Sequence, residues 1–197
     1  MTLTAPFAGL SSSLSQARAQ APRSIRMANR KITVQGPQGY CIDRATKHAN
    51  GQGDFILLGT CASISGNSEE SSPPVRAVLS VSVLKAQTQA TLTPEALRAH
   101  FETAAGQAVL AQSGNGADAS LVDTRIENDA LILHATDTSP ARSAQLSDTY
   151  WRGIFPLNGH LVSLTVTPLT RYPVSQGEGQ ALMRNFVKSM QNANPAR

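Results

Sequence analysis

The chain has 197 residues, a hydrophobic content of 41% and a formal net charge of +4 at pH 7. This length fits one domain that buries a core without metals or several disulfides, and no apolar run approaches the roughly 20 residues of a membrane-spanning helix. Residues 1–42 hold five basic residues and no acidic one, whereas the rest holds twelve basic against thirteen acidic residues. This nearly neutral body argues against a nucleic-acid surface, which needs clustered Lys and Arg.

The first 30 residues are rich in Ser, Ala, Gln and Arg and have no sustained hydrophobic periodicity. We predict that residues 1–30 are a flexible basic arm or the remnant of a signal sequence, and that order begins at Ile32. Ala19-Gln20-Ala21 resembles a cleavage site, so the true start lies upstream, which we favour, or the arm is simply disordered. The side chains that would contact an anionic partner, either lipid headgroups or nucleic acid, are Arg18, Arg23, Arg26, Arg30 and Lys31.

Two runs with strand character, Tyr40–Ile42 and Asp54–Thr60, predict an antiparallel hairpin around both cysteines. In a register with its tip at Gly51, Cys41 and Cys61 occupy directly opposite positions, where the Cα separation suits a disulfide. We interpret them as a disulfide that stabilises the fold by roughly 3 kcal/mol, with two buried, reduced thiols as the alternative. A disulfide implies an oxidising compartment, so we expect a periplasmic or cell-envelope location.

A strand, a helix and a second hairpin follow along the chain. Val75–Leu84 alternates apolar and polar residues, which is typical of a strand with one buried face. Thr93 is a suitable N-cap for a helix over residues 94–112, whose first position is proline. Leu121–Ile126 and Leu131–Thr136 form the second predicted hairpin.

The third predicted hairpin joins Tyr150–Leu157 to His160–Thr167 through Asn158-Gly159, a pair that suits a type I′ turn because both central positions need positive φ. Pro156 has no backbone N–H to donate to a neighbouring strand. The side of the strand to which its nitrogen points should therefore be a sheet edge or a bulge. Counting outward from the turn, the core side carries Trp151, Gly153 and Phe155 opposite Val166, Leu164 and Val162.

The last predicted helix opens with a capping box of Ser175 and Glu178 and ends at Asn194-Pro195. Its apolar stripe consists of Leu182, Met183, Phe186, Val187 and Met190. The element order predicts an α+β fold, with an antiparallel sheet of about six or seven strands and two principal helices packed on it. We expect a single domain over residues 31–194.

Three features of the sequence carry a resemblance to a known fold. They are the turn with Gly36, Pro37, Gly39 and Tyr40, the strand Val75–Leu84 before Pro94, and the hairpin Tyr150–Thr167 before Phe186. This layout resembles the PsbP-like fold, which is shared by the PsbP subunit of photosystem II, bacterial DcrB-type envelope proteins and a eukaryotic Ran-binding family. The resemblance spans roughly residues 31–191 and implies an accessory or binding protein. The disulfide pair is not part of the family's general pattern, and no functional residue of the family is transferred.

The sequence predicts no catalytic residue, metal site or cofactor. Two cysteines without a histidine cluster do not make a zinc site, and there is no Gly-x-Ser-x-Gly elbow. Residues 114–119 formally match G-x-G-x-x-A, but they leave a helix and enter a strand, the reverse of a dinucleotide loop. The histidines, none of which has metal-ligand spacing, are His48, His100, His134 and His160.

The first functional hypothesis is therefore a non-enzymatic accessory or binding protein of the cell envelope that supports a protein partner or a membrane complex. The alternative is a small hydrolase or ligand-binding enzyme whose site is assembled from loops near His48, His134 or His160. A pocket joining two of these histidines to a carboxylate with a perturbed pKa would favour the alternative. A third hypothesis, nucleic-acid binding, depends on residues 18–31.

Overall fold

The computed structural model describes residues 20–50, 53–70, 72–85 and 93–195. In these ranges the strands are β1 (Ser24–Met27), β2 (Ile32–Gln35), β3 (Tyr40–Asn50), β4 (Gly53–Thr60), β5 (Ala77–Lys85), β6 (Ala119–Glu127), β7 (Ala130–Asp137), β8 (Thr149–Leu157) and β9 (His160–Pro168). The helices are α1 (Cys61–Ser65), α2 (Pro94–Phe101), α3 (Ala104–Ala108) and α4 (Gln176–Asn192). None of these helices is long and apolar enough to cross a membrane.

Seven of the strands form one antiparallel sheet in the order β3-β4-β5-β9-β8-β7-β6, while β1 and β2 form a separate hairpin. This arrangement confirms the predicted α+β class and the predicted number of strands. Because side chains alternate along each strand, the sheet has two distinct faces. One face is covered by α4 and the β1–β2 hairpin, and α2 and α3 pack against part of the other.

The core between the sheet and α4 is the larger of the two. Every member of the predicted α4 stripe is buried, as are Trp151 and Phe155 of β8. On the other face, Phe101 of α2 packs with Leu131, Leu133, Tyr150 and Ile154.

The third hairpin follows the predicted register. Trp151 pairs with Val166 and Phe155 with Val162, and Asn158 and Gly159 have φ angles of 46° and 75°. Pairing of β8 with β7 stops at Ile154, so the strand flank at Pro156 is an edge, as predicted. The capping box of Ser175 and Glu178 is also present at the start of α4.

The cysteine hairpin has a different register from the predicted one. Cys41 lies opposite Gly59, and Cys61 is the first residue of α1, just beyond the end of β4. The strand ends there because the Thr60 side chain accepts a hydrogen bond from the backbone N–H of Ser63 and caps α1. The disulfide is present, but it joins a strand to a helix start.

Two further boundaries differ from the prediction. The helix predicted over residues 94–112 breaks after Phe101, because Thr103 accepts from the backbone N–H of Gly106 and starts α3 as a new N-cap. The chain is also ordered before Ile32, because β1 lies within the segment predicted as an arm and buries Met27. Residues 1–19 lie outside the described ranges.

Candidate functional site

A groove of about 720 Å³ runs along the outer side of α4, and we call it the α4 groove. Its second wall is formed by residues 37–40, before and at the start of β3, and by residues 72–75, before β5. The lining residues are Pro37, Gln38, Gly39, Tyr40, Ser72, Pro73, Pro74, Val75, Glu178, Ala181, Leu182, Asn185, Lys188, Ser189 and Asn192.

The wall opposite α4 is held by a few specific contacts. The buried Tyr40 hydroxyl donates to the carbonyl of Val75 at 2.7 Å, and burial raises the pKa of this phenol. Gly39 has a φ of 86°, a value that favours glycine, and Pro73 lies directly against it. Residues 72–75 are thereby fixed against the turn that enters β3, so the groove has a defined shape.

The disulfide lies directly behind this wall. The backbone N–H of Cys61 donates to the carbonyl of Gly39 at 2.9 Å, and Cys41 follows Tyr40. The two Cα atoms are 4.7 Å apart, and both cysteines are buried with Ala21 and Ile64. A carboxylate oxygen of Glu70 lies within 4.8 Å of both sulfurs, but bonded sulfurs are not thiolates and do not supply metal ligands.

The α4 wall presents one helical side to the groove. From Glu178 to Asn192 its lining positions follow one another at steps of one or three residues, and Leu182 is shared with the stripe that faces the core. Asn185, Lys188 and Asn192 are exposed. Hydrogen bonds from Ser175, first of all from its hydroxyl, lower the pKa of the Glu178 carboxyl, so this group is ionised at neutral pH.

The basic residues predicted to contact an anionic partner are only partly within the described chain. Arg23, Arg26, Arg30 and Lys31 are exposed on and around the β1–β2 hairpin, while Arg18 lies outside the described residues. The hairpin is anchored to α4, because the Asn194 side chain bonds both the N–H and the carbonyl of Thr33. These cations therefore belong to the folded surface, close to the C-terminal end of α4.

The histidines are not gathered into one site. No histidine lines the α4 groove, and the small void beside His134 contains no second histidine. His48 and His160 each place Nδ1 near a backbone carbonyl, that of Thr46 and Asn158 respectively. A pocket with two histidines and a carboxylate would favour an enzyme. Neither the α4 groove nor the void beside His134 is such a pocket.

His134 is the histidine with the most unusual surroundings. Its ring stacks on Trp151 with centroids 4.7 Å apart and planes 2° from parallel. Within the described chain, neither buried ring nitrogen has a hydrogen-bond partner. Burial lowers the pKa of His134 below 6.5, against the opposing attraction of Asp123. The void beside it, also lined by Arg125 and by uncharged side chains of α4, has a volume of only about 10 Å³, which leaves no room for a substrate.

This stacking predicts a pH-dependent fluorescence of Trp151, the single tryptophan. Protonated His134 should quench the indole, so emission should fall with a midpoint below pH 6.5. Because the folded-state pKa is lowered, the stability that neutral His134 contributes is complete above about pH 6.5 and is lost as the pH falls through the folded-state value. Emission measured against pH should lose this step in His134→Gln and keep it in His160→Gln; an unchanged step in His134→Gln would contradict the assignment.

The groove residues were not predicted from the sequence. Polar residues recur at positions 185, 188, 189 and 192, but every surface helix has such a polar side. The wall that turns this side into a groove comes from residues more than 100 positions earlier in the chain. The G-x-G-x-x-A match is also settled by the fold, since residues 116–118 form a short 3₁₀ turn that leads into β6.

No protein-family model matches the sequence, and no curated protein matches it. Among solved structures, the chain is similar to the Saccharomyces cerevisiae Ran-binding protein Mog1p, with a TM-score of 0.47 and 9% identity over 89% of this chain and 95% of that one. It is also similar to a protein from Bacteroides thetaiotaomicron VPI-5482, with a TM-score of 0.34 and 12% identity over 80% of this chain and 46% of that one.

Both TM-scores are below 0.5, so neither likeness supports a conclusion about function. The resemblance to the PsbP-like fold, including its PsbP, DcrB and Ran-binding members, stays a prediction. The class that the structure itself defines is an α+β domain with one disulfide and a groove along its C-terminal helix.

Proposed function

We propose that this chain is a non-enzymatic accessory protein of the cell envelope that binds an extended segment of a protein partner in the α4 groove. The observation that carries the proposal is the groove's length together with its mixed lining. From Glu178 to Asn192 the helix side measures about 20 Å at 1.5 Å per residue. An extended chain of about six residues at roughly 3.3 Å each matches this length.

The lining suits a peptide better than a reaction. Pro37, Pro73 and Val75 supply apolar surface, and the amides of Asn185 and Asn192 supply donors and acceptors for a peptide backbone. The groove contains no histidine, cysteine or aspartate. Ser72 and Ser189 line the groove, but no histidine lies among the lining residues to serve them as a general base.

Charge gives the groove a direction. Glu178 lies near one end of the helix wall and Lys188 lies ten residues further along, about 15 Å away at 1.5 Å per residue. A partner segment with a basic residue near Glu178 and an acidic residue near Lys188 would be complementary to both. The exposed arginines and Lys31 of the β1–β2 hairpin offer a second contact, to an anionic region of the partner or to lipid headgroups.

The disulfide supports the proposed location. Disulfides persist in oxidising compartments and are rare in the cytosol of mesophiles. A periplasmic protein that supports a membrane complex fits this feature, and the exposed basic hairpin fits a surface next to anionic lipids.

Site-specific photocrosslinking in the organism of origin tests the groove as the binding site. A photoreactive amino acid at Asn185 or Asn192 should give adducts of the same mass, because both positions line the groove. The same substitution at Val122, which is 53% exposed on β6 at the far edge of the sheet, is the matched control. Adducts at Asn185 should also disappear when Lys188→Glu reverses the local charge.

Two outcomes would contradict the proposal. Identical adducts from Val122 would show that the crosslinks arise from random encounters. Adducts that stay unchanged in the Lys188→Glu variant and in a groove-blocking Ala181→Trp variant would show that the partner binds elsewhere.

A further inference from the structure

A second cavity lies on the face of the sheet opposite α4. It has a volume of about 200 Å³ and is lined by the end of the α2–α3 region, the loop after β7 and the strands β8 and β9. Its polar side chains come from Gln112, Asp137, Arg142, Tyr150, Arg152, Thr165 and Thr167. Both arginines lie over the ring of Tyr150, with the guanidinium carbons of Arg142 and Arg152 at 6.0 Å and 5.7 Å from its centroid.

Arg142 is held rigidly in this cavity. One guanidinium nitrogen donates to Asp137 at 3.0 Å and another donates to the carbonyl of Ser147 at 2.6 Å. Its Nε is buried and, among the described residues, has no hydrogen-bond partner. Asp137 is saturated, because it also accepts from the backbone N–H groups of Gln112 and Ser139 and from the Ser139 hydroxyl.

Within the described chain, Arg152 has no acidic partner. All thirteen acidic residues lie in the described ranges, and none of the ion pairs found there involves Arg152. Its one hydrogen bond there is a long one, 3.3 Å, to the carbonyl of Val109, and its buried Nε has no acceptor in the described chain. Because Nε is buried, an acceptor from outside would reach the terminal nitrogens, of which Nη1 makes only this long bond.

The balance of charge and the available space define the ligand. Two guanidinium groups face one carboxylate, which leaves an excess of one positive charge. The cavity is far larger than the 10–15 Å³ that one water needs. Guanidinium groups recognise oxyanions through paired N–H donors, and the hydroxyls of Thr165 and Thr167 add donors from β9.

We propose that Arg142, Arg152, Thr165 and Thr167 form a binding site for a phosphate oxyanion, either free phosphate or the phosphate group of a monoester. Arg152 is the main ligand, because Arg142 is already bound to Asp137 and Ser147. Tyr150 orients both arginines, and its hydroxyl is occupied by the carbonyl of Leu110 at 2.8 Å. The site is independent of the α4 groove, because Trp151 faces α4 and Arg152 points to the other side of the sheet.

The test is an NMR titration of the full-length, isotopically labelled protein with inorganic phosphate at constant ionic strength. Saturable shifts should appear at the amides of Arg152, Thr165 and Val109. Arg152→Gln should weaken phosphate binding at least tenfold, and Thr165→Val should weaken it less. The matched control is Arg125→Gln, which removes the same charge from an exposed arginine on β6 that pairs with Asp123 at 2.9 Å and should leave binding unchanged.

Parallel titrations with glycerol phosphate and acetate define the ligand class. Binding of inorganic phosphate alone indicates a site for the free ion, and binding of both phosphates indicates a site for a monoester. Acetate that binds as tightly as phosphate would overturn the assignment to phosphate. Non-saturable shifts, or equal weakening by Arg125→Gln and Arg152→Gln, would overturn the site itself. Unchanged thermal unfolding of each variant verifies that the fold is intact.

Discussion

Replacing both cysteines with alanine is expected to lower the free energy of unfolding by about 3 kcal/mol. The bond closes a loop with a sequence separation of 20 residues, and in the chain-entropy model an open loop of this size gives the unfolded chain correspondingly more freedom. Loss of the disulfide should also change the shape of the α4 groove. The backbone N–H of Cys61 donates to the carbonyl of Gly39, which belongs to the turn that forms the groove wall. Denaturant unfolding at equilibrium measures the first effect, and crosslinking from Asn185 measures the second.

Reduction of the unmodified protein provides the control. A reducing agent should shift its unfolding midpoint to that of the double alanine variant, and should leave the variant itself unchanged. Two free thiols in the native protein, or a midpoint unaffected by reduction, would contradict the disulfide. Either result would also remove the main support for an envelope location.

Local signals explain which parts of the fold could be predicted. Asn158-Gly159 sets the register of β8 and β9, because a two-residue type I′ turn allows one pairing of the strands that flank it. Ser175 and Glu178 likewise fix the start of α4 within one helical turn. Each of these signals lies inside the element that it defines, so distant parts of the chain do not change the outcome.

The wrong predictions concern where elements begin and end, which the hydrophobic pattern does not determine. The alternation pattern cannot show that Thr60, the last paired residue of β4, also caps α1, which places Cys61 beyond the strand. Nor can it show the irregularity between Asp43 and His48, which lengthens β3 relative to its partner. Four-residue β1 has too few apolar positions to be recognised, although Met27 is buried by distant elements.

The candidate sites were missed for a related reason. The α4 groove requires residues 72–75 to meet a helix that begins at Gln176, and the phosphate site requires Arg142 and Arg152 to flank Tyr150 on one side of the sheet. The sequence did place Gly153 on the core face between Trp151 and Phe155. Only the packed structure explains the glycine, because a side chain there would collide with Met183.

A second large effect is expected where α4 crosses Trp151. Gly179→Ala should lower the free energy of unfolding by about 1–3 kcal/mol, because an added methyl group overpacks a filled core. A Cβ at this position would lie closer than 3.0 Å to three carbons of the indole ring. The ring is stacked on His134 and buried, so it has little room to move. Chemical denaturation gives the free energy, and Trp151 fluorescence reports the displaced ring.

Gly177→Ala, two residues earlier in the same helix, is the matched control. Nothing lies within 4 Å of a Cβ there, so the methyl group meets no obstacle. Alanine is a better helix former than glycine by about 0.8–1.0 kcal/mol in a helix interior, and a smaller gain is expected in the first turn. The two substitutions should therefore change stability in opposite directions. Equal stabilisation by both would mean that α4 does not pack against the indole as closely as the fold requires.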